Sequence, residues 1–261
     1  VVDLHSHILP GIDDGAESMA DTVDMARTAQ QDGVRCIVAT PHHANGVYDA
    51  PRERVLELTG AVGRELAQAG VHVEVLPGAE VHFHAGLAAG VEAGTLCTLA
   101  DTGKYLLVEL PVQLLPPTLR DELFRLRLLG ITPILAHVER NRAVQEDWTS
   151  LLPLLDMGVL FQCTAASLTG EFGSAIRELS INLVRFRLVH VLGTDSHGLN
   201  FRPPVLSSAW EIVREVLAHD PEMLGYMERL PELVLQGTAP PDAPAPRMPE
   251  PKPWWKRLFG G

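Results

Sequence analysis

Seven short apolar runs, each of strand length, are separated along this chain by segments of helical period, and that alternation limits the fold more than any other feature. The runs cover residues 1–4, 34–39, 71–76, 105–110, 132–136, 159–163 and 188–193. Helical patterns fall at 18–31, 52–69, 117–129, 143–157 and 173–186, several of them closed by a glycine, and two more follow at 204–218 and 221–235. Residues 85–103, rich in Gly and Ala, read as a short helix plus loop. Strands that alternate with helices imply right-handed βαβ units and hence a parallel sheet.

Histidine or a carboxylate stands where almost every run ends: His5 and His7, His42, Glu80, Glu109, His137, and Asp195 with His197. A parallel barrel gathers the C-terminal ends of its strands around one mouth, so side chains far apart in sequence meet there. An open doubly wound sheet would concentrate them at its switch point instead. The expected fold is therefore a single α/β domain, a distorted seven-stranded (β/α)7 TIM-like barrel over residues 1–236.

In His5-Ser6-His7 the two imidazoles are two residues apart at a strand end, so both face one side and suit one ion. Asp195 and His197 repeat the spacing. A site of imidazole and carboxylate without thiolate favours Mn, Fe, Mg or Zn over copper. Two such ions can share a hydroxide and clamp an oxyanion during in-line displacement, chemistry that fits phosphate-ester hydrolysis.

Other classes are excluded by composition. A formal charge of −12 argues against a nucleic-acid groove. A Cys-x5-Arg phosphatase loop is ruled out directly, because His42, Gly103 and Thr169 stand six positions after Cys36, Cys97 and Cys163. There is no Gly-Lys-Ser/Thr phosphate loop and no Gly-x-Ser-x-Gly elbow. With no signal-peptide pattern and no membrane-spanning run, the expected compartment is the cytoplasm.

After Gln236 the composition changes to a Pro-rich linker that ends in Trp254-Trp255-Lys256-Arg257-Leu258-Phe259. Four basic residues against two acidic ones give 237–261 a charge of +2 and leave the body at −14. The linker is expected to be extended and mobile, a disordered tail. Its basic and aromatic end suits a membrane-proximal contact with lipid headgroups or a partner groove, or has no specific partner.

The blocks Asp3-Leu-His-Ser-His-Ile-Leu-Pro-Gly-Ile-Asp-Asp-Gly15, Thr40-Pro-His-His43, Gly78-Ala-Glu80, Leu135-Ala-His-Val-Glu-Arg-Asn141 and Gly193-Thr-Asp-Ser-His197 resemble the polymerase-and-histidinol-phosphatase (PHP) superfamily. Within it they are most similar to the bacterial manganese-dependent tyrosine-protein phosphatases of capsule and exopolysaccharide systems. The resemblance covers about residues 2–235 and implies a distorted seven-stranded barrel with three divalent metal ions, Mn2+ first, with Fe, Zn or Mg as alternatives. It places His5, His7, Glu80 and Asp195 around one ion, Glu80, Glu109 and His137 around a second, and Asp14, His42 and His197 around a third. Asp13 is the alternative to Asp14. Arg140 and Arg202 match positions that contact the phosphate, where a guanidinium fork suits the anion; otherwise Arg140 pairs at the surface with Glu139 or Glu146.

The implied substrate is phosphotyrosine on a protein, such as a membrane tyrosine kinase, attacked by a metal-bridging hydroxide. His43 is a candidate substrate contact and acid, though a phenol of pKa near 10 needs little protonation to leave. The rival is a small-molecule phosphomonoesterase such as a histidinol-phosphate phosphatase. A homo-oligomer, with loop 43–51 as a contact, is a further expectation. Outside these sets His82 and His84 read as rim residues and His72 and His190 as structural. Gln162 reads as a partner for a metal-bound water, and Asp3 as orienting a ligand imidazole.

Overall fold

The structure is a computed structural model that describes residues 1–248; the Trp254–Phe259 segment lies outside them. Among the described residues nine strands are formed, β1 (Val2–Ser6), β2 (Cys36–Ala39), β3 (His42–His43), β4 (Glu74–Pro77), β5 (Glu80–His82), β6 (Tyr105–Glu109), β7 (Thr132–Leu135), β8 (Leu160–Thr164) and β9 (Val191–Gly193). All pairings are parallel, in a three-stranded sheet of order β1-β2-β4 and a six-stranded sheet of order β3-β5-β6-β7-β8-β9. The edges meet again where the His7 N–H donates to the Ser196 carbonyl at 2.9 Å and the Asp195 N–H to that of His5 at 2.8 Å.

Nine segments stand where seven runs were expected, because two paths are interrupted. Pro41 lies between β2 and β3, and Gly78-Ala79 between β4 and β5. Proline has no N–H for a ladder. At Gly78 a Cβ would stand 2.7 Å from Val38 Cγ1, so only glycine lets the two strands cross this point. Both breaks come just before site residues, and they turn His42 and Glu80 inward.

Ten α-helices among the described residues connect and flank the strands: α1 (Met19–Gln31), α2 (Arg52–Gln68), α3 (Leu87–Glu92), α4 (Leu119–Leu128), α5 (Arg142–Glu146), α6 (Leu152–Leu155), α7 (Ala165–Thr169), α8 (Ser174–Arg185), α9 (Ser207–Val216) and α10 (Pro221–Leu235). Ser18 and Asp21 form a capping box that starts α1. The buried stripe of α2 is Val55, Leu58, Val62 and Leu66, and each such side chain contributes about 1.5–3 kcal/mol when fully buried. The single helix expected over 143–157 is broken. Asp147 takes an extended conformation and caps Thr149, and Pro153 sits where only a helix N-terminus tolerates it. The short α7 was hidden in its apolar context.

The start of the Pro-rich stretch has no helix or strand up to Met248, yet it is laid on the body. Tyr105 Oη–H donates to the Thr238 carbonyl at 2.6 Å, and the Arg247 N–H to the Phe186 carbonyl at 3.0 Å. Pro244 is buried. Among the described residues no helix is long and apolar enough to cross a membrane.

Candidate metal centre

His5 and His7 meet at their ring tips, Nε2 to Nε2, at 3.3 Å. Asp195 Oδ1 lies 3.4 Å from one and 3.3 Å from the other, and the two Glu80 oxygens lie 3.4 Å from each in turn. All four residues are buried. The outer nitrogen of His7 is committed, since its Nδ1–H donates to Asp13 Oδ2 at 2.7 Å. His197 Nδ1–H likewise donates to the Asp195 carbonyl at 2.8 Å. Neutral rings held this way present lone pairs at Nε2.

Asp14 Oδ1 lies 3.4 Å from His197 Nε2 and 3.5 Å from His42 Nε2. The register that the sequence left open is thus divided between the two aspartates. Asp13 is occupied by His7, by the His42 backbone N–H at 3.0 Å and by that of Gly15, while Asp14 faces the ring tips. His42 Nδ1 lies 2.9 Å from Glu80 Oε2, and His137 Nε2 lies 2.8 Å from Glu80 Oε1.

Three sets of donor atoms lie within 4.8 Å of one another: His5 with His7 and Glu80; His7 with Asp14, His42 and His197; and His42 with Glu80 and Glu109. These sets hold seven of the nine expected ligands, and His137 and Asp195 join them through Glu80, His5 and His7; the grouping differs in part from the expected sets. Glu109 groups with His42 rather than His137, and its Oε2 is held by His82 Nδ1 at 3.0 Å. His7 belongs to two sets.

The cluster fits cations on its own chemistry. Glu80 Oε2, His42 Nδ1 and His197 Nε2 are buried without an aligned hydrogen-bond partner, and the His5 and His7 ring tips face each other. Buried polar atoms are seldom left so. Burial pushes the His7 imidazole down, but Asp13, Asp195 and Glu80 outweigh it and raise its pKa well above the usual value. Burial likewise pushes Glu80 and Asp195 up, and His5 foremost among the neighbouring imidazoles brings both well below the carboxylate range. His197, desolvated and beside His7, is pushed down to about 3, a neutral ring suited to coordination.

Arg140 and Arg202 converge on a single atom, Asp195 Oδ2, at 2.6 and 2.5 Å. Each guanidinium also lies 5.0 Å from a phenyl centroid, Arg140 over Phe172 and Arg202 over Phe201. The alternative surface pairings of Arg140 do not form. Glu139 is buried and accepts from the Thr164 N–H and the Ser167 hydroxyl, and Glu146 is taken by Arg142. His137, Asp195 and Arg202 have φ of 31°, 51° and 51°, left-handed conformations that cost about 1–3 kcal/mol each for residues with side chains.

His43 is not drawn into the cluster. Adjacent strand residues face opposite sides, and with His42 turned inward the His43 Nδ1–H donates to the Ala50 carbonyl at 2.9 Å, beside Asp49. Asp3 does not touch a ligand ring either. It accepts from the Thr194 N–H and hydroxyl and from the His5 backbone N–H, and burial raises its pKa to about 6. Gln162 accepts from the His137 N–H at 2.9 Å, with His5 Nδ1 3.2 Å from the same oxygen. His190 is structural, accepting the Phe161 N–H at Nδ1. The residues the sequence reading passed over are Asp13 as the support of His7 and His82 as the support of Glu109; the only sequence signal for either was its closeness to a ligand.

The family of capsular polysaccharide synthesis proteins CpsB/CapC matches residues 1–226. The chain belongs to this family. Tyrosine-protein phosphatase YwqE of Bacillus subtilis (strain 168) is 37% identical over 202 residues, 77% of this chain and 79% of that protein. The putative tyrosine-protein phosphatase CapC of Staphylococcus aureus is 32% identical over 230 residues, 87% and 89% of the two chains. A solved structure from the work on YwqE of Bacillus subtilis and CpsB of Streptococcus pneumoniae, described as unique metal-dependent tyrosine phosphatases, superposes with a TM-score of 0.87 at 33% identity. It covers 95% of this chain and 100% of its own. The family match thus spans the whole candidate cluster, from His5 to His197.

Proposed function

We propose that this CpsB/CapC chain is a metal-dependent phosphatase that hydrolyses phosphotyrosine on proteins, with tyrosine kinases of capsule or exopolysaccharide synthesis as substrates. The observation that carries the reading is Asp195. One of its oxygens faces the imidazole cluster and the other holds two arginines, so a cation site and an anion site adjoin on one side chain.

His5, His7, Glu80 and Asp195 would hold one ion, Glu80, Glu109 and His137 a second, and Asp14, His42 and His197 a third. The nitrogen and oxygen donors support manganese, with iron, zinc or magnesium as substitutes. Divalent ions there would make water a nucleophile at neutral pH and offset charge on phosphoryl oxygens. The protein's own residues do the rest. Arg140 and Arg202 exchange Asp195 Oδ2 for phosphate oxygens and stabilise the charge that builds on them. Phe172 and Phe201 keep the two guanidinium planes in place through cation–π contact. The phenolate leaves without a proton from His43. We also read β2 with β3, and β4 with β5, as two continuous paths, which makes the sheets one distorted seven-stranded ring.

Turnover of a phosphotyrosyl peptide and of histidinol phosphate, side by side, tests the reading. The expected result is that the peptide is hydrolysed at least ~100-fold faster, a preference of about 2.7 kcal/mol, that chelation abolishes the activity, and that Mn2+ restores it. Faster histidinol phosphate turnover, or activity that survives exhaustive chelation, overturns it.

A further inference from the structure

We infer that Gln162 is a positioning residue, whose one amide oxygen sets the tautomer of His5 and the backbone of His137 together. The His137 backbone N–H can only donate, so the Gln162 atom 2.9 Å away is the amide oxygen, and the usual ambiguity of an amide side chain is absent here. That same oxygen lies 3.2 Å from His5 Nδ1. His5 Nδ1 therefore carries the hydrogen, and the lone pair of the neutral ring is at Nε2, directed at His7 Nε2 and at the Glu80 and Asp195 carboxylates.

Gln162 is fully buried in β8, and its two contacts both fall on the oxygen while its Nε2 has no partner. Its presence there is secured by a gap on the neighbouring strand. A Cβ on Gly193 would stand 2.7 Å from His5 Cβ and 2.9 Å from Gln162 Nε2, so glycine at the end of β9 is what lets the amide reach the ring. At the other partner, His137 holds its left-handed φ of 31° with its N–H tied to Gln162, which fixes where the ring leaves the backbone. Two residues expected to serve different ions thus hang on one oxygen.

The backing of His5 also differs from that of His7. Asp13, a carboxylate, stands behind His7, whereas a neutral amide stands behind His5. Partners of this kind orient metal ligands, and their loss lowers metal affinity by about 10–100-fold.

The inference rests on the reading that the cluster binds metal, and its test separates the two. Manganese affinity of the full chain is measured by calorimetry for the wild type, Gln162→Met and Gln162→Glu, alongside 15N-histidine NMR of the metal-free protein at alkaline pH, with His5 assigned through His5→Gln. The expected results are a wild-type His5 in the Nδ1–H form, about 10–100-fold weaker Mn2+ binding and a mixed tautomer in Gln162→Met, and recovery of both in Gln162→Glu, which keeps the acceptor. Wild-type affinity in a folded Gln162→Met, or an Nε2–H tautomer in the wild type, overturns the inference. Should Gln162→Met not fold, the wild-type spectrum still decides. A wild type that binds no manganese sinks the metal reading instead, while the tautomer still judges Gln162.

Discussion

Both ends of the parallel strands hold buried charge, but the two ends arrange it differently. At the strand-start end Arg187 donates to both Asp220 oxygens at 2.7 Å, with Arg247 Nη1 a further 3.1 Å from Asp220. A cleft of about 610 Å3 at that end is walled by the Pro-rich stretch, and its two basic side chains, Lys104 and Arg127, are matched by Asp156 and Asp242. At the mouth, by contrast, the cavity beside Glu109, His137 and Arg140 is only about 60 Å3, yet ring nitrogens and carboxylate oxygens from several strands crowd against one another there. Chemistry in this molecule is marked by where its polar atoms converge rather than by empty space.

The sharpest way to break that contrast is to remove one member at each end. His7→Ala is expected to lose metal and at least ~1000-fold in peptide turnover, about 4 kcal/mol of transition-state stabilisation, while the metal-free fold changes little because Asp13 keeps the backbone N–H groups of Gly15 and His42 as donors. Asp220→Ala is expected to do the reverse. It strips Arg187 of its partner and α10 of its cap, costing about 2–3 kcal/mol in urea denaturation, toward the low end for a buried pair because Arg187 stays 11% exposed. Its kcat/KM should remain within about twofold of wild type, a change of under ~0.5 kcal/mol. If His7→Ala destabilises the protein as much as Asp220→Ala does, the mouth is a structural ion network and the contrast falls.

A smaller effect is expected where the two kinds of charge meet. Arg140→Ala should keep its metal content and lower kcat/KM for phosphotyrosyl peptide by about 10–100-fold, the value of one or two charge-assisted bonds to phosphate. Arg140→Lys should recover little, since an ammonium cannot reproduce the fork. Unchanged turnover in Arg140→Ala with metals in place would mean that its bond to Asp195 is structural, like that of Arg187 to Asp220.

Much of the mouth could be read before the fold was known, because a strand end is a local signal. An apolar run followed by His or a carboxylate placed His5, His7, Glu80, His137 and Asp195 with no tertiary information. What could not be read were the partners. Asp13 and Asp14 are adjacent in an irregular loop with no period to fix their facing, and the choice depends on where the His42 backbone arrives from another strand. His43 lies outside the cluster because adjacent residues of a strand face opposite sides, and with His42 turned inward its ring turns to the Ala50 carbonyl. The breaks in the sheet were written at Pro41 and Gly78, and the break of the 143–157 helix at Pro153, but each was outweighed by the stronger apolar pattern around it. Gln162 was visible as the one amide in Leu160–Thr164; its partners lie 25 and 157 residues away and belong to the fold alone.

The least effect is expected from His190, which lies between the two ends at the start of β9. Its ring is fully buried against Phe161 and Tyr226, with Nδ1 accepting the Phe161 N–H, and burial pushes its pKa down to about 4. The unfolded chain, with an ordinary histidine near 6.5, therefore binds the proton first as pH falls. Between about pH 6.5 and 4 the unfolded state carries more protons, so stability contributed at this position is present above pH 6.5 and lost as the solution is acidified. Asp3 acts in the other direction. Its raised pKa, about 6, makes the folded state the better proton binder from about pH 4 to 6. A wild-type profile alone would mix the two, so the comparison is with His190→Asn, whose side-chain oxygen can accept the Phe161 N–H without titrating. The wild type should lose on the order of 1 kcal/mol more than His190→Asn between pH 7 and pH 5 in urea denaturation of metal-free protein. Parallel profiles would show that the ring takes up its proton in the folded state, and that charge at this depth is tolerated away from the mouth as well as within it.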